Sequence, residues 1–336
     1  MKALHIDGAF GLENLALAER PRPEPGGGEV LLKMGAASLN YRDLLMVQGL
    51  YNPRQPLPLI PCSDGVGEVA AVGDGVTRVA VGDRVITLFC QGWISGDPPA
   101  DSLGRTLGGP LEGTLAEYMV LPEAGVIPAP EHLSDVEAAT LTCAGLTAWS
   151  ALATRADVGQ GDTVLVLGTG GVAIFALQFA QILGAQVIVT SSSDTKLVRA
   201  RELGATAAIN YGEIPQWSKA VKEITAGRGV DLVVEVGGAD TLPQSVRAVR
   251  PGGQISLIGN LSGGVLDFNL NPVFMRGVRI QGILVGHRQG FEAMNQAIIE
   301  HQMRPVVDRV FPWSEARQAL EHLAGGRHFG KVCLRF

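Results

Sequence analysis

The sequence predicts a mixed α/β chain whose second half builds a parallel sheet covered on both faces. Two observations carry that reading. The run Thr163–Ser193 contains no charged residue, yet glycines divide it into strand, turn, helix and strand. From Pro128 onward, apolar β-branched runs alternate with helical segments, whereas the preceding residues hold short strands set off by Gly-Asp turns. Alternating strand and helix is the pattern of a doubly wound α/β domain.

In chain order, strands are predicted at Val30–Met34, Val66–Val72, Arg84–Leu88 and Leu115–Leu121, with turns at Gly73-Asp74-Gly75 and Gly82-Asp83. Pro21–Gly28 is too rich in Pro and Gly to lie inside an element. The segment Phe89–Arg105, with Pro98-Pro99, reads as a long loop of the kind that carries function. Val164–Leu167 is then a strand, Gly168–Gly171 a turn, Val172–Leu183 a helix stopped by Gly184, and Gln186–Thr190 a second strand. Both strands are apolar throughout because a parallel sheet is buried on both faces. The breaks, and the absence of a flanking Lys/Arg cluster, argue against a membrane span.

Further strands are predicted at Ala207–Asn210, Asp231–Glu235, Gln254–Ile258 and Arg279–Ile283, which brings the sheet to six. Helices are predicted at Asp194–Leu203, Ile214–Thr225 and Leu242–Val249, closed by Gly204, Gly227 and Gly252. The tail holds helices near Phe291–His301 and Ser314–Leu323 and a last strand Val332–Phe336, which returns to the first domain. The expected division is residues 1–127, 128–286 and 287–336.

Composition narrows the function. The chain is 46% hydrophobic and 18% charged, with a net charge of −6 and no basic run. That balance argues against nucleic acid or an anionic membrane as partner. Asp7 interrupts the N-terminus too early for the apolar core of a signal peptide. Cys62, Cys90, Cys143 and Cys333 are scattered without a C-x-x-C pair, as expected of reduced thiols in the cytoplasm.

The glycine turn gives the βαβ unit a chemical purpose. Gly168 and Gly170 fill the first two positions of a G-x-G-x-x-A pattern and Ala173 the third. Such a turn lets the backbone of Gly168, Thr169, Gly170, Gly171 and Val172 approach a pyrophosphate, with the helix N-terminus behind it. An acid closing the second strand would select NAD by binding the ribose hydroxyl. Here Thr190-Ser191-Ser192-Ser193 stand instead, and Asp194 reads as a helix N-cap. Lys196 sits in the first helical turn, where a cation opposes the macrodipole unless an anion lies beside it. Ser191, Ser192 and Lys196, with Arg199 and Tyr211, can therefore bind a 2′-phosphate, so NADP(H) is expected over NAD(H).

Val164–Gly171 followed by Phe175–Gln178, the stretch Ser38–Asp43, and Gly330-Lys331-Val332 together resemble the medium-chain dehydrogenase/reductase superfamily over nearly the whole chain. Within it, the resemblance is greatest to the zinc-independent quinone-oxidoreductase branch and the alcohol-dehydrogenase-like proteins near it. The resemblance implies a GroES-like β-barrel catalytic domain, a Rossmann domain, and an active site in the cleft between them. It also implies nicotinamide-side contacts at Thr147, Val236-Gly237-Gly238 and Gly259-Asn260, and a homodimer paired through Arg279–Leu284.

Zinc members of this superfamily hold catalytic zinc by Cys, His and Cys, the His within a Gly-His-Glu motif. Aligning that motif places Cys62-Ser63-Asp64 on it, with Asn40 and Cys143 at the outer ligand positions. Asn40 and Ser63 are poor zinc ligands, and the structural-zinc lobe retains only Cys90, so no zinc is expected. An improvised site of Cys62, Asp64 and Cys143 is the competing expectation.

Without zinc, hydride transfer needs an acceptor that delocalises negative charge, such as a quinone or an α,β-unsaturated carbonyl. Tyr51 matches a substrate-side Tyr of related reductases and can donate to the developing oxyanion, and Asn40 can orient the carbonyl through its amide. Tyr41 is a weaker second candidate, because Asp43 can simply anchor a helix start there. Three classes remain open: an NADPH-dependent quinone or enone reductase, an alcohol dehydrogenase using a metal or Ser63 and Tyr51, and a non-catalytic cofactor-binding protein.

Overall fold

The computed structural model describes residues 1–336. The chain forms two compact units, Met1–Leu146 with Gly286–Phe336, and Thr147–Val285. The expected start of the second domain at residue 128 thus lies 19 residues before Thr147, where the second unit begins. The intervening helix Asp135–Ala139 packs on strands Glu29–Leu39 and Asp64–Val72 of the first unit.

The second unit is a six-stranded sheet in which every adjacent pair is parallel. Its spatial order is Ala207–Asn210, Gln186–Ser191, Thr163–Leu167, Val230–Glu235, Val249–Leu257, Arg279–Gly282. Chain order therefore starts in the middle, runs to one edge and then to the other, which is the 3-2-1-4-5-6 order of a Rossmann sheet. All of Thr163–Leu167 and Val230–Glu235 is buried, as central strands of a parallel sheet are, with Asp231 and Glu235 near the ends of the latter paired to hydrogen-bond partners. The helix Gly171–Ile182 covers one face, with Phe175 and Phe179 stacked at 5.7 Å. The order reverses between Thr163–Leu167 and Val230–Glu235, so the turns after Leu167 and Glu235 open at the switch point where such sheets bind ligands.

The first unit is β-rich. Val307–Pro312, Lys331–Arg335, Glu29–Leu39, Asp64–Val72, Arg84–Thr87 and Val126–Pro128 lie side by side, and Tyr118–Pro122 also pairs with Glu29–Leu39. Two buried clusters fill it, one around Leu39, Leu59 and Leu320, the other around Val30, Val69 and Leu121. No helix in the chain is long and apolar enough to cross a membrane.

Several elements differ from their predicted extents. The strand predicted at Val30–Met34 continues to Leu39, because a register shift between Met34 and Ala36 absorbs the small-residue stretch Gly35–Ala37. The strand predicted at Leu115–Leu121 is confined to Tyr118–Pro122. Gly113 and Thr114 spend their amides on Ile60 and Cys62 instead. Asp194 is the first helical residue rather than the N-cap; Ser193 caps the helix by accepting from the Lys196 amide. Gly252 does not close a helix, since Leu242–Ala248 ends four residues earlier and Gly252 lies within the next strand. The hairpin Lys2–Ile6/Leu15–Glu19 and the strand Val307–Pro312 were not apparent in the sequence pattern.

Candidate active site

Strand register assembles one cluster in the first unit. Val332 pairs with Leu39, and Asp64 with Ser38, so Lys331 and Asp64 flank the end of the central strand, where Asn40 begins the helix Tyr41–Val47. The Lys331 ammonium is buried and donates to Leu39 O at 2.7 Å and Asn40 Oδ1 at 2.5 Å, and it lies 3.7 Å from Asp64 Oδ2. Ser63 Oγ donates to Asp64 Oδ1 at 2.8 Å. Asn40 and Ser63 are thereby joined through Lys331 and Asp64. Asn40 Nδ2 is buried, and the Asn40 side chain lies close enough to Asp64 and Asp43 to favour their charged forms. Burial pushes the Asp64 carboxyl up to about 6, opposed by the Lys331 charge beside it.

Asp43 anchors the helix start, its Oδ2 accepting from the Asn40 amide at 2.8 Å. Arg42 donates to Leu107 O at 3.0 Å and Gly109 O at 3.1 Å, with Asp43 Oδ1 at 3.3 Å. Its guanidinium lies 5.0 Å from both the Tyr51 and the Phe89 ring centroids. Tyr51 is 47% exposed and Tyr41 42% exposed, so water reaches both. The Phe89–Arg105 segment folds back on itself through Gln91 N to Arg105 O at 2.8 Å, with Phe89, Cys90 and Trp93 buried.

Cys62, at the first position of the aligned Gly-His-Glu motif, has φ 75. That left-handed conformation favours glycine, which is what the motif carries there. Cys143 sits in a π-helical turn, Leu141–Gly145, and burial pushes its thiol up to about 12, with the Asp64 charge adding to the effect. No three His, Cys, Asp or Glu side chains converge to hold a metal ion. The improvised set Cys62, Asp64 and Cys143 is not brought together as ligands, and a buried ammonium already accompanies Asp64. The donor set does not fit zinc.

The second unit gathers its candidates at the C-terminal ends of the strands. Gly168 has φ 79 and open space around its Cβ position, so the backbone angle alone demands glycine. Gly170 caps the helix Gly171–Ile182 without a side-chain hydrogen bond, which leaves the first-turn N–H groups of Gly171 and Val172 facing outward for an anion. Thr169 is buried beside them. Ser191 ends the second strand, and its carbonyl accepts from Tyr211 N at 3.0 Å, so Ser191, Ser192 and Tyr211 share one edge with the first turn holding Lys196. The turn after Glu235 packs on the turn after the fifth strand. Gly237 O accepts from Ser262 N at 2.8 Å, and a Cβ on Gly238 would meet Asn260 Cα at 2.7 Å. Thr147 is buried in the helical turn Leu146–Trp149. These features fit a dinucleotide.

Two functional side chains were missed in the sequence. Lys331 was visible only as part of a motif, because lysine is rarely fully buried unless paired and nothing local in the sequence shows its partners. Glu235 closes an apolar strand ahead of Val-Gly-Gly. It is fully buried and accepts from Gly237 N at 2.8 Å, Gly238 N at 3.1 Å, Thr241 Oγ1 at 2.6 Å and Ser245 Oγ.

A Rossmann sheet with a bare-backbone anion cradle, in a chain that also carries a β-rich unit with a buried polar cluster, defines a nucleotide-dependent oxidoreductase. Residues 26–131 match the alcohol dehydrogenase GroES-like domain family, and residues 171–300 match the zinc-binding dehydrogenase family. A zinc-type alcohol dehydrogenase-like protein of Schizosaccharomyces pombe is 42% identical over 98% of this chain and 97% of its own length. The acryloyl-coenzyme A reductase of Metallosphaera sedula is 29% identical over 99% of each chain. Among solved structures, an NAD-dependent alcohol dehydrogenase aligns with TM-score 0.90 and 35% identity over 100% of each chain. A crotonyl-CoA carboxylase/reductase in complex with NADP aligns with TM-score 0.88 and 25% identity, over 100% of this chain and 94% of that one. The chain belongs to the medium-chain dehydrogenase/reductase superfamily, with a GroES-like domain and a Rossmann domain, and is an oxidoreductase.

Proposed function

We propose that the protein is an NADPH-dependent reductase that delivers hydride to an α,β-unsaturated carbonyl or a quinone without zinc. The observation that carries this reading is Asn40 itself, an amide held by Lys331 where zinc relatives place a metal ligand, in a cluster whose donors do not fit zinc. The acryloyl-coenzyme A and crotonyl-CoA reductases among the similar proteins support an activated alkene as substrate, and the bound NADP of the latter supports the cofactor.

NADPH, when bound, would supply a hydride to the β-carbon, the C=C pair becoming the Cα=C bond of an enolate as the carbonyl π pair moves onto oxygen, with a proton then taken at the α-carbon. The chain's own residues act at the oxygen. Asn40 Nδ2 donates to the charge that develops there, and the Tyr51 hydroxyl, with access to water, supplies the proton or a second hydrogen bond. Ser63 commits its hydrogen to Asp64, so it serves the cluster's charge balance rather than the substrate. The cofactor is held by Gly168, Thr169, Gly170, Gly171 and Val172 at the pyrophosphate, by Ser191, Ser192, Lys196 and Tyr211 at the 2′-phosphate, and by Thr147, Val236, Gly237 and Asn260 on the nicotinamide side.

A second reading, alcohol dehydrogenase, draws on the names of the Schizosaccharomyces pombe relative and of the NAD-dependent structure. Turnover of NADPH and NADH against quinones, enones, aldehydes and alcohols, with zinc measured on the same sample, decides between them. NADPH oxidation by enones or quinones in zinc-poor protein is the expected result; zinc-dependent alcohol oxidation overturns it. The four free thiols support a reducing, cytoplasmic setting. The exposed edge strand Arg279–Gly282, near exposed Phe274 and Met275, supports a homodimer. Sedimentation of Ile280→Asp as monomer against a wild-type dimer tests it, and a monomeric wild type refutes it.

A further inference from the structure

We propose that Arg42 is a positioning residue that seats the Tyr51 ring and so holds its hydroxyl in one place for the reduction. The inference rests on the reading of Tyr51 as the hydroxyl that serves the substrate oxygen, and names what keeps a half-exposed ring in register.

Tyr51 follows the helix Tyr41–Val47 on a turn whose amides reach back to it. Leu50 N and Tyr51 N both donate to Leu45 O, at 2.8 and 3.1 Å. That fixes the backbone and leaves the ring to rotate about its side-chain bonds, with nearly half of the residue in water. A side chain so placed spreads over several rotamers unless a contact holds it. Arg42 makes that contact. Its guanidinium lies over the Tyr51 ring at 5.0 Å from the centroid, within cation–π range, and over the buried Phe89 ring at 5.0 Å. Burial works against the guanidinium charge, and Asp43 and Tyr51 beside it work for that charge. The guanidinium is itself held: Leu107 O and Gly109 O accept from it at 3.0 and 3.1 Å, with Asp43 Oδ1 at 3.3 Å. Those two carbonyls belong to a turn that is tied down in its own right, through Leu107 N to Phe89 O at 3.1 Å and Gly109 N to Leu111 O at 2.8 Å. A planar fork of donors bound to two fixed carbonyls offers the Tyr51 ring a flat cation of fixed position. Lysine cannot take its place, because an ammonium has neither the plane nor the fork. Arg22, which lies over the Tyr118 ring at 4.2 Å, is by contrast an exposed side chain.

The test labels the protein with fluorotyrosine and reads its four tyrosines, Tyr41, Tyr51, Tyr118 and Tyr211, by fluorine NMR, with Tyr51→Phe assigning the Tyr51 resonance. In the wild type that resonance is expected broadened and displaced from free fluorotyrosine. The shift and linewidth of the free amino acid show an unseated ring and overturn the inference without any variant. Arg42→Lys keeps the charge and loses the plane, so the Tyr51 resonance should move toward the free position while Tyr118 and Tyr211 stay. A Tyr51 resonance that stays, or all resonances moving together, overturns the inference. Should the lysine variant fail to fold, Arg42→Gln, whose flat amide still donates to a carbonyl, takes its place. Enone reduction supplies the second arm. Arg42→Lys is expected to lower kcat by most of the factor lost in Tyr51→Phe, about 10²-fold or less, with NADPH affinity unchanged. On the Tyr51→Phe background it should cost no more than about twofold, because Arg42 acts through the placement of that hydroxyl. Losses that multiply show a structural role apart from Tyr51 and overturn the inference, as does Arg42→Lys at the wild-type rate. Tyr51→Phe at the wild-type rate, or a wild type inactive with every enone and quinone, refutes the functional reading instead. The fluorine spectra then still decide whether Arg42 seats the ring.

Discussion

Glu235 offers the sharpest structural prediction, because one buried carboxylate organises the turn proposed to face the nicotinamide. Its Oε1 accepts three hydrogen bonds, from Gly237 N, Gly238 N and Thr241 Oγ1, and its Oε2 accepts from Ser245 Oγ. In Glu235→Ala the two hydroxyls can turn; Thr241 Oγ1 already lies 3.2 Å from Gly238 O. The two backbone N–H groups cannot, and an orphaned buried donor costs about 1–3 kcal/mol, which gives about 2–6 kcal/mol in all. Glu235→Gln is the cleaner probe. The amide oxygen keeps the three donors, but each bond loses its charge assistance, about 1 kcal/mol apiece. Relief of carboxylate burial offsets part of this, leaving about 2 kcal/mol. Hydrogen exchange at the Gly237 and Gly238 amides should then accelerate by about 30-fold, since about 1.4 kcal/mol is a factor of ten. NADPH affinity should weaken alongside, because the loosened turn must be ordered on binding. Unchanged exchange at those amides in Glu235→Gln would refute the reasoning, whatever the effect on affinity.

Other outcomes follow from the same geometry. Lys196→Ala should weaken NADPH by about 1.5–3 kcal/mol and leave NADH nearly unchanged by calorimetry, since only the phosphorylated cofactor loses charge-assisted contacts. Tyr51→Phe should lower kcat and kcat/KM together for an enone, and less for a quinone whose anion is already delocalised. Because water reaches Tyr51, the loss should stay near the lower end of the usual range, about 10²-fold or less, and unchanged enone kinetics would make Tyr51 a packing residue. Asp231 is a pH probe for the second unit. Burial raises its pKa, but hydrogen bonds from Arg228, Arg250 and the Thr163 amide win, so the folded value is lowered. A lowered carboxylate contributes stability that is present above its unfolded pKa and lost as pH falls through the folded value. Asp231→Asn should therefore flatten the acid limb of urea stability measured below about pH 4, the unfolded Asp value, and an unaltered limb would refute the assignment.

The Rossmann half was legible in the sequence because its signals are local. Buried parallel strands must be apolar on both faces, a left-handed turn needs Gly168, and a helix N-terminus needs no side chain to cradle an anion, so Val164–Gly171 carries its purpose within a few residues. Ala207–Asn210 was placed to the residue for the same reason. The helix start at Asn40–Asp43 was also readable, from a single capping pair. Cys62 sits at the motif position where glycine is usual, and its φ of 75 supports the alignment that placed it there.

What tertiary structure alone decided is the cluster around Asn40. Lys331 meets Asn40 from 291 positions away in the chain, through a strand register that no periodicity encodes. The extension of the central strand to Leu39 was hidden because Gly35–Ala37 carries no β-branched or aromatic residue to signal a strand, and a register shift there keeps the pairing. Glu235 looked like an ordinary strand-ending acid, since its meaning lies in donors that the chain supplies only after folding back. Ser63 was readable as a catalytic candidate from the motif, but the direction of its proton, toward Asp64, depends on a neighbour's charge and burial. Local conformational preference is written in adjacent residues. The orientation of a buried polar group is set by partners that only packing brings within hydrogen-bond reach.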